Sequence, residues 1–273
     1  MLMQKLVIGE IPYLDCYPYF APLREKYSQA FFAYYAGHPT DLNTALKRGQ
    51  IDVSISSSIE YCQNFENYMV LPELCIGSDG PVGSVLLFSD ITIEDLDEMT
   101  ISLPPSSAAA VNLIKIILGK YFQFNNQFKT AWTEAEAHLL IGDSALRERA
   151  LERYPYVYDL GELWKEQTGL PMVFALWIVR KEAAAEKREQ LIILHKSLKN
   201  AIDDAKKDWS KLANRLGNYE WMSRKEIIDY WKGVDFSLTA RHTKALLAYF
   251  HDAEELALID AAPEEIEFME MPI

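Results

Sequence analysis

One local pattern occurs twice in this chain and limits what it can fold into. An apolar, strand-like run ends in serines and passes directly into a helix. The first copy is Ile51–Ile55, followed by Ser56-Ser57-Ser58 and Ile59-Glu60-Tyr61. The second is Thr100–Leu103, followed by Pro104-Pro105-Ser106-Ser107 and an alanine-rich helix over Ala108–Leu118. Such a junction sets hydroxyls beside the unpaired N–H groups at the positive end of a helix, which suits a carboxylate or another small anion. Helix capping accounts for one serine in each copy and leaves the other hydroxyls in want of a partner. Two such junctions in successive parts of an alternating strand–helix chain predict an α/β fold of two lobes with a cleft between them.

Between the junctions lies Cys75–Ser89, CIGSDGPVGSVLLFS. Its glycine-rich centre, Gly77 to Ser84, reads as a close-turning loop that exposes backbone N–H groups and hydroxyls, and Val85–Phe88 reads as a buried strand. The loop is either a wall for a small polar ligand or a tight connection that needs glycine dihedrals. Upstream, Lys5–Ile8 is a first strand, and Asp15 stands ahead of a helix with Pro18 in its first turn. Asp15 either caps that helix or presents a carboxylate into the cleft, since ligands sit at strand ends in α/β folds. Phe31–Tyr35 suits a second strand, and Met69–Leu74 is a further apolar segment.

Downstream, Ala137–Gly142 reads as a buried strand with Asp143 as N-cap of the next helix, and Pro171–Arg180 as a long strand crossing between lobes. Beyond it the chain is helical. Leu191, Leu194, Leu198, Ile202, Ala205, Trp209 and Leu212 mark the apolar face of one long helix, Ser223 and Glu226 fit a capping box, and Thr239–Phe250 is another helix. His195 and His242 read as structural or surface residues. The organisation expected is residues 1–89 as the N-terminal part of the first lobe, 90–171 as the second lobe, and 172–273 as the return crossing and helical part of the first.

Composition removes several function classes. The 273 residues are 49% hydrophobic and 25% charged, an ordered globular profile, and the net charge of −13 argues against nonspecific nucleic-acid binding. Three cysteines lack a paired framework or CxxC spacing, and five histidines form no HExxH, so no metal is expected. No stretch approaches the roughly 20 apolar residues of a membrane span, and the N-terminus lacks a proper signal h-region. The expectation is a cytoplasmic protein without a membrane partner. P-loop, GxGxxG, GxSxG and cysteine–histidine patterns are missing. What remains is serines, backbone N–H groups and Asp15, a set suited to holding carboxylates. It fits an enzyme without cofactor and a ligand-binding module equally.

Six stretches, in order, carry a resemblance: Ile8-Gly9-Glu10-Ile11-Pro12-Tyr13-Leu14; Asp52 through Tyr61; Leu74 through Ser89; Leu140 through Leu146; Leu160-Gly161-Glu162-Leu163-Trp164; and Thr168 through Trp177. Together they span roughly the first 180 residues. The sequence resembles the menaquinone-biosynthesis family of the futalosine route, in its chorismate dehydratase branch. The resemblance implies a two-lobed type II periplasmic-binding-protein-like fold with a helical C-terminal region. The implied activity is that of a hydro-lyase that removes water from chorismate to give 3-[(1-carboxyvinyl)oxy]benzoate. No metal or organic cofactor is implied, the partner is the small-molecule substrate, and the assembly is a monomer or homodimer.

Carried over by position, the family's active-site serine falls on Ser84. Its other catalytic position, usually asparagine after a Tyr-Leu pair, falls on Asp15. This is a departure: asparagine donates and accepts, whereas an ionised aspartate only accepts. The family's later hydroxyl position in the second lobe falls on Ala108 or Ala109. Substrate-binding positions are expected at Ser56, Ser57, Ser58, Gly83, Ser106, Ser107 and Asp143. Three alternatives stay open: an enzyme like 1,4-dihydroxy-6-naphthoate synthase, a noncatalytic small-carboxylate binder of the same fold, and a divergent relative with a changed substrate, to which Asp15 points.

Overall fold

In a computed structural model of the chain, which describes residues 4–26, 31–105, 107–130, 134–217 and 219–272, the alternation closes into two mixed sheets. The first part runs β1 (Leu6–Glu10), α1 (Tyr17–Lys26), β2 (Phe32–Ala36), α2 (Pro39–Lys47), β3 (Val53–Ser57), α3 (Ser58–Gln63) and β4 (Tyr68–Ser78). The chain then crosses to β5 (Val85–Ser89), β6 (Thr100–Leu103), α4 (Ala108–Ile116), β7 (Gln127–Thr130), β8 (Ala137–Ile141), α5 (Gly142–Ala150), β9 (Tyr156–Asp159) and α6 (Leu160–Thr168). It returns in β10 (Met172–Arg180). The helices α7 (Lys181–Glu186), α8 (Arg188–Lys207), α9 (Trp209–Ala213), α10 (Arg224–Gly233) and α11 (Ala240–Glu255) follow.

The sheet orders are β2-β1-β3-β10-β4 and β7-β6-β8-β5-β9. In each, three parallel strands are followed by one strand that arrives antiparallel from the other lobe: β10 in the first sheet and β5 in the second. That arrangement makes two crossings, one before β5 and one before β10. It also explains the composition of the central strands. Every residue of β3 and of β5 is buried, as expected for strands covered on both faces. One contiguous hydrophobic core extends through both lobes, with Trp164, Trp177 and Trp231 fully buried in it.

Three sequence expectations are corrected. β5, grouped with the first lobe from sequence, pairs with β8 and β9 in the second sheet, so the crossing lies before Val85. Apolarity identifies a buried strand but does not say which sheet it joins. The third strand does not stop at Ile55 but runs through Ser57, which places Ser56 and Ser57 in the sheet. The long helix breaks at Asp208, whose side chain accepts from the Lys211 N–H at 3.0 Å and starts α9. Trp209 and Leu212 therefore continue the apolar spacing on a separate helix. The capping box of Ser223 and Glu226 is present at the start of α10. Among the described residues no helix is long and apolar enough to cross a membrane.

Candidate active site

The cleft between the sheets contains a cavity of about 80 Å³. Ile11, Tyr13, Asp15, Ser57, Phe174 and Ala175 line it from the first lobe, and Ser84, Ser107, Ile141 and Gly142 from the crossing and the second. Tyr13 and Ile141 also wall a neighbouring hollow of about 220 Å³ with Pro104, Pro105 and Ser144, so the cleft continues past the Tyr13 ring.

Asp15 sits in the short link between β1 and α1, and the residue before it, Leu14, is fixed from outside at both its N–H and its carbonyl. The Leu14 N–H donates to Asp143 Oδ1 at 2.9 Å, and the Trp231 indole donates to the Leu14 carbonyl at 2.7 Å. The Asp15 Oδ1 is sealed from solvent and has no hydrogen-bond partner, so this oxygen caps no helix. Burial raises the carboxyl from 3.8 to about 6; the adjacent Cys16 thiol opposes the rise, and the negative charge of Asp143 adds to it. Cys16 lines the same cavity, its thiol pushed well above the ordinary range by burial and by Asp15.

Ser84 ends the loop that carries the chain between lobes. Asp159 holds that loop by accepting from the Val82 N–H at 3.0 Å and the Gly83 N–H at 2.6 Å, while also capping α6. The Ser84 carbonyl accepts from the Gly142 N–H at 2.7 Å, and the Tyr230 hydroxyl donates to Ser84 Oγ at 2.9 Å. With its acceptor side occupied, the Ser84 hydroxyl has its own proton to donate. Gly142 adopts φ of +56°, and a Cβ there would lie 3.0 Å from the Tyr13 ring, so only glycine fits this turn under that ring.

The remaining predicted positions divide. Ser57 Oγ is buried, unpartnered and on the cavity wall. It occupies the N-cap position of α3 without making a side-chain cap, which leaves the hydroxyl free for a ligand. Ser107 also faces the cavity; its Oγ accepts from the Ala110 N–H at 3.3 Å and caps α4, leaving its proton to donate. Ser56 and Ser58 are buried with unpartnered hydroxyls but lie outside the cavity lining. Strand alternation explains Ser56, which points to the opposite face from Ile55 and Ser57. Gly83 borders a different hollow, behind Tyr230. Ser106 lies outside the described residues. Asp143 is not the N-cap of α5: that position is Ile141, and the Asp143 carboxylate instead ties α5 to Leu14 across the cleft.

Sequence reasoning missed Tyr13, Cys16 and Tyr230. The first two stand beside Asp15, where strand-end placement pointed to the segment but not to its aromatic and thiol. Tyr230 comes from α10, 146 residues beyond Ser84, and nothing in a helical heptad marks it as facing a cleft. His195 bonds the Pro72 carbonyl at 2.9 Å, and His242 belongs to the capping box at Thr239.

A family model described as menaquinone biosynthesis matches residues 6–255. The chain belongs to that family. Two of its curated relatives are named chorismate dehydratase. That from Thermus thermophilus is 28% identical over 200 residues, 66% of this chain and 72% of the relative. That from Campylobacter jejuni is 30% identical over 184 residues, 65% and 70% of the two chains. Among solved structures, protein AF1704 from Archaeoglobus fulgidus superposes with a TM-score of 0.72 at 18% identity, covering 93% of this chain and 98% of that one. The periplasmic aliphatic sulphonate binding protein SsuA from Escherichia coli superposes with a TM-score of 0.66 at 13% identity, covering 97% and 95%. The fold is thus the two-lobed α/β architecture of periplasmic binding proteins, within a biosynthetic family whose named relatives are enzymes.

Proposed function

We propose that the protein is a chorismate dehydratase, a carbon–oxygen lyase that acts in the cytoplasm and converts chorismate to 3-[(1-carboxyvinyl)oxy]benzoate and water. The observation that carries this reading is a carboxyl raised to about 6, facing the same cavity as a serine with a proton to donate and a buried, unpartnered hydroxyl. The menaquinone-biosynthesis family and relatives named chorismate dehydratase supply the substrate class.

The chemistry asks little beyond position and proton traffic, because loss of water makes the ring aromatic. Ser57 and Ser107, with the N-terminal N–H groups of α4, hold the substrate's carboxylates. Asp15, ionised above about pH 6, takes the C3 proton. The C–H electron pair becomes the C3–C4 double bond, the C4–O bond breaks, and Ser84 hydrogen-bonds the departing oxygen. The proton on Asp15 then passes to that oxygen, which leaves as water and restores the carboxylate. A carboxyl that titrates near neutrality suits both halves of this transfer. The naphthoate-synthase alternative calls for a histidine-assisted site, and none of the described residues lining the cavity is histidine.

Purified wild type, D15A and S84A assayed with chorismate test the assignment of roles. Both variants are expected to lose at least about a hundredfold in kcat, the range for a general acid–base group or an oxyanion donor. D15A turning over at the wild-type rate would shift the base to the substrate's own side-chain carboxylate.

A further inference from the structure

The helical region that follows β10 carries no chemistry of its own in the sequence, yet one of its helices reaches Ser84 and the residue before Asp15. Consecutive residues of α10 do this. The Tyr230 hydroxyl donates to Ser84 Oγ at 2.9 Å, and the Trp231 indole donates to the Leu14 carbonyl, one residue before Asp15, at 2.7 Å. Both side chains are buried, and Trp231 is fully so. The Tyr230 ring packs against Gly83, where a Cβ would stand 3.4 Å from Tyr230 Cδ2, and Gly83 has φ of +80°. Trp231 is fixed by stacking on Tyr17 at 5.9 Å with an interplanar angle of 1°, and by Trp209 at 5.8 Å. The capping box at Ser223 and Glu226 fixes the start of the helix.

We infer that Tyr230 and Trp231 are positioning residues, a clamp on α10 that sets Ser84 at the crossing and Asp15 in the first lobe at a fixed separation. The inference rests on the roles proposed for those two groups. Its physical basis is that a serine hydroxyl rotates freely unless its lone pairs are engaged. Tyr230 occupies the acceptor side of Ser84, so the serine proton is directed away from the tyrosine and into the cavity. The indole bond holds the Leu14 carbonyl while Asp143 holds the Leu14 N–H, and together they pin the residue that precedes Asp15. Neither side chain lines the cavity, so both work through the groups they hold. A catalytic pair set in this way needs no reorganisation when the substrate arrives.

The test is Y230F, which keeps the buried ring and removes only the hydroxyl, taken through a cycle with S84A. With chorismate, Y230F is expected to lower kcat about tenfold with KM changed less than twofold, the scale of one net hydrogen bond. In the S84A background the same change is expected to have no further effect. A merely structural role would lower kcat equally in both backgrounds, and that result overturns the inference. Crystal structures of wild type and Y230F give a readout independent of turnover: the Ser84 side chain is expected to occupy more than one rotamer in the variant. Retention of a single wild-type rotamer overturns the clamp even if the wild type makes no product from chorismate. The latter result bears on the dehydratase reading alone.

Discussion

Replacing Asp15 by asparagine is expected to stabilise the fold, and to do so only above a definite pH. The carboxyl is raised from 3.8 to about 6, chiefly by burial, so ionising it is harder in the folded chain than in the unfolded one. Below about pH 4 the group is protonated in both states and contributes no difference. Between about pH 4 and 6 the unfolded chain ionises while the folded chain keeps its proton, so stability falls as pH rises. Above about pH 6 both are ionised and the loss is complete. At about 1.36 kcal/mol per pH unit, the ceiling on that loss is about 3 kcal/mol. D15N has the same shape and no charge, so the gap in stability between variant and wild type should open through this window and then level off. Urea unfolding of both proteins at about pH 4.5 and pH 7.5 measures it. A gap of one size at both values, or a wild type that is the more stable at the higher pH, would refute the reasoning.

The same titration governs rate. If Asp15 takes the C3 proton, kcat/KM should fall about tenfold per pH unit below about pH 6, and a fall on the alkaline side instead would assign it as the acid. Gly142→Ala puts a Cβ 3.0 Å from the Tyr13 ring at φ of +56°. The strain is expected to lower stability by about 1–2 kcal/mol in thermal melts and to weaken substrate binding through the displaced Tyr13. Asp159→Ala removes the acceptor of the Val82, Gly83 and Gly161 N–H groups at 3.0, 2.6 and 2.9 Å. It should cost about 3 kcal/mol or more and loosen Ser84, seen as faster amide exchange at Val82 and Gly83.

Much of this site was legible in the sequence because its parts stand where strands end. Asp15, Ser57, Ser84 and Ser107 all occupy such ends, and all four line one cavity. Ser56 and Ser58 were included because a serine triplet read as a loop has no faces. Once β3 extends through Ser57, alternation sends Ser56 to the other side. Asp143 looked like a cap from its place at a helix start, but its partner, Leu14, lies 129 residues away in the other lobe. Tyr230 and Trp231 were illegible for the same reason: their positions suit helix packing, and only the tertiary fold turns them toward the cleft. The lobes themselves followed from strand–helix alternation. The sheet that β5 joins did not, since a strand buried on both faces is equally at home in either.

Incubation of the purified wild-type protein with chorismate, followed by ultraviolet absorbance and mass spectrometry, tests the central reading most directly. An aromatic product lighter than chorismate by one water is expected from the wild type and not from S84A. Chorismate recovered unchanged from a folded protein that binds a different dicarboxylate would contradict it.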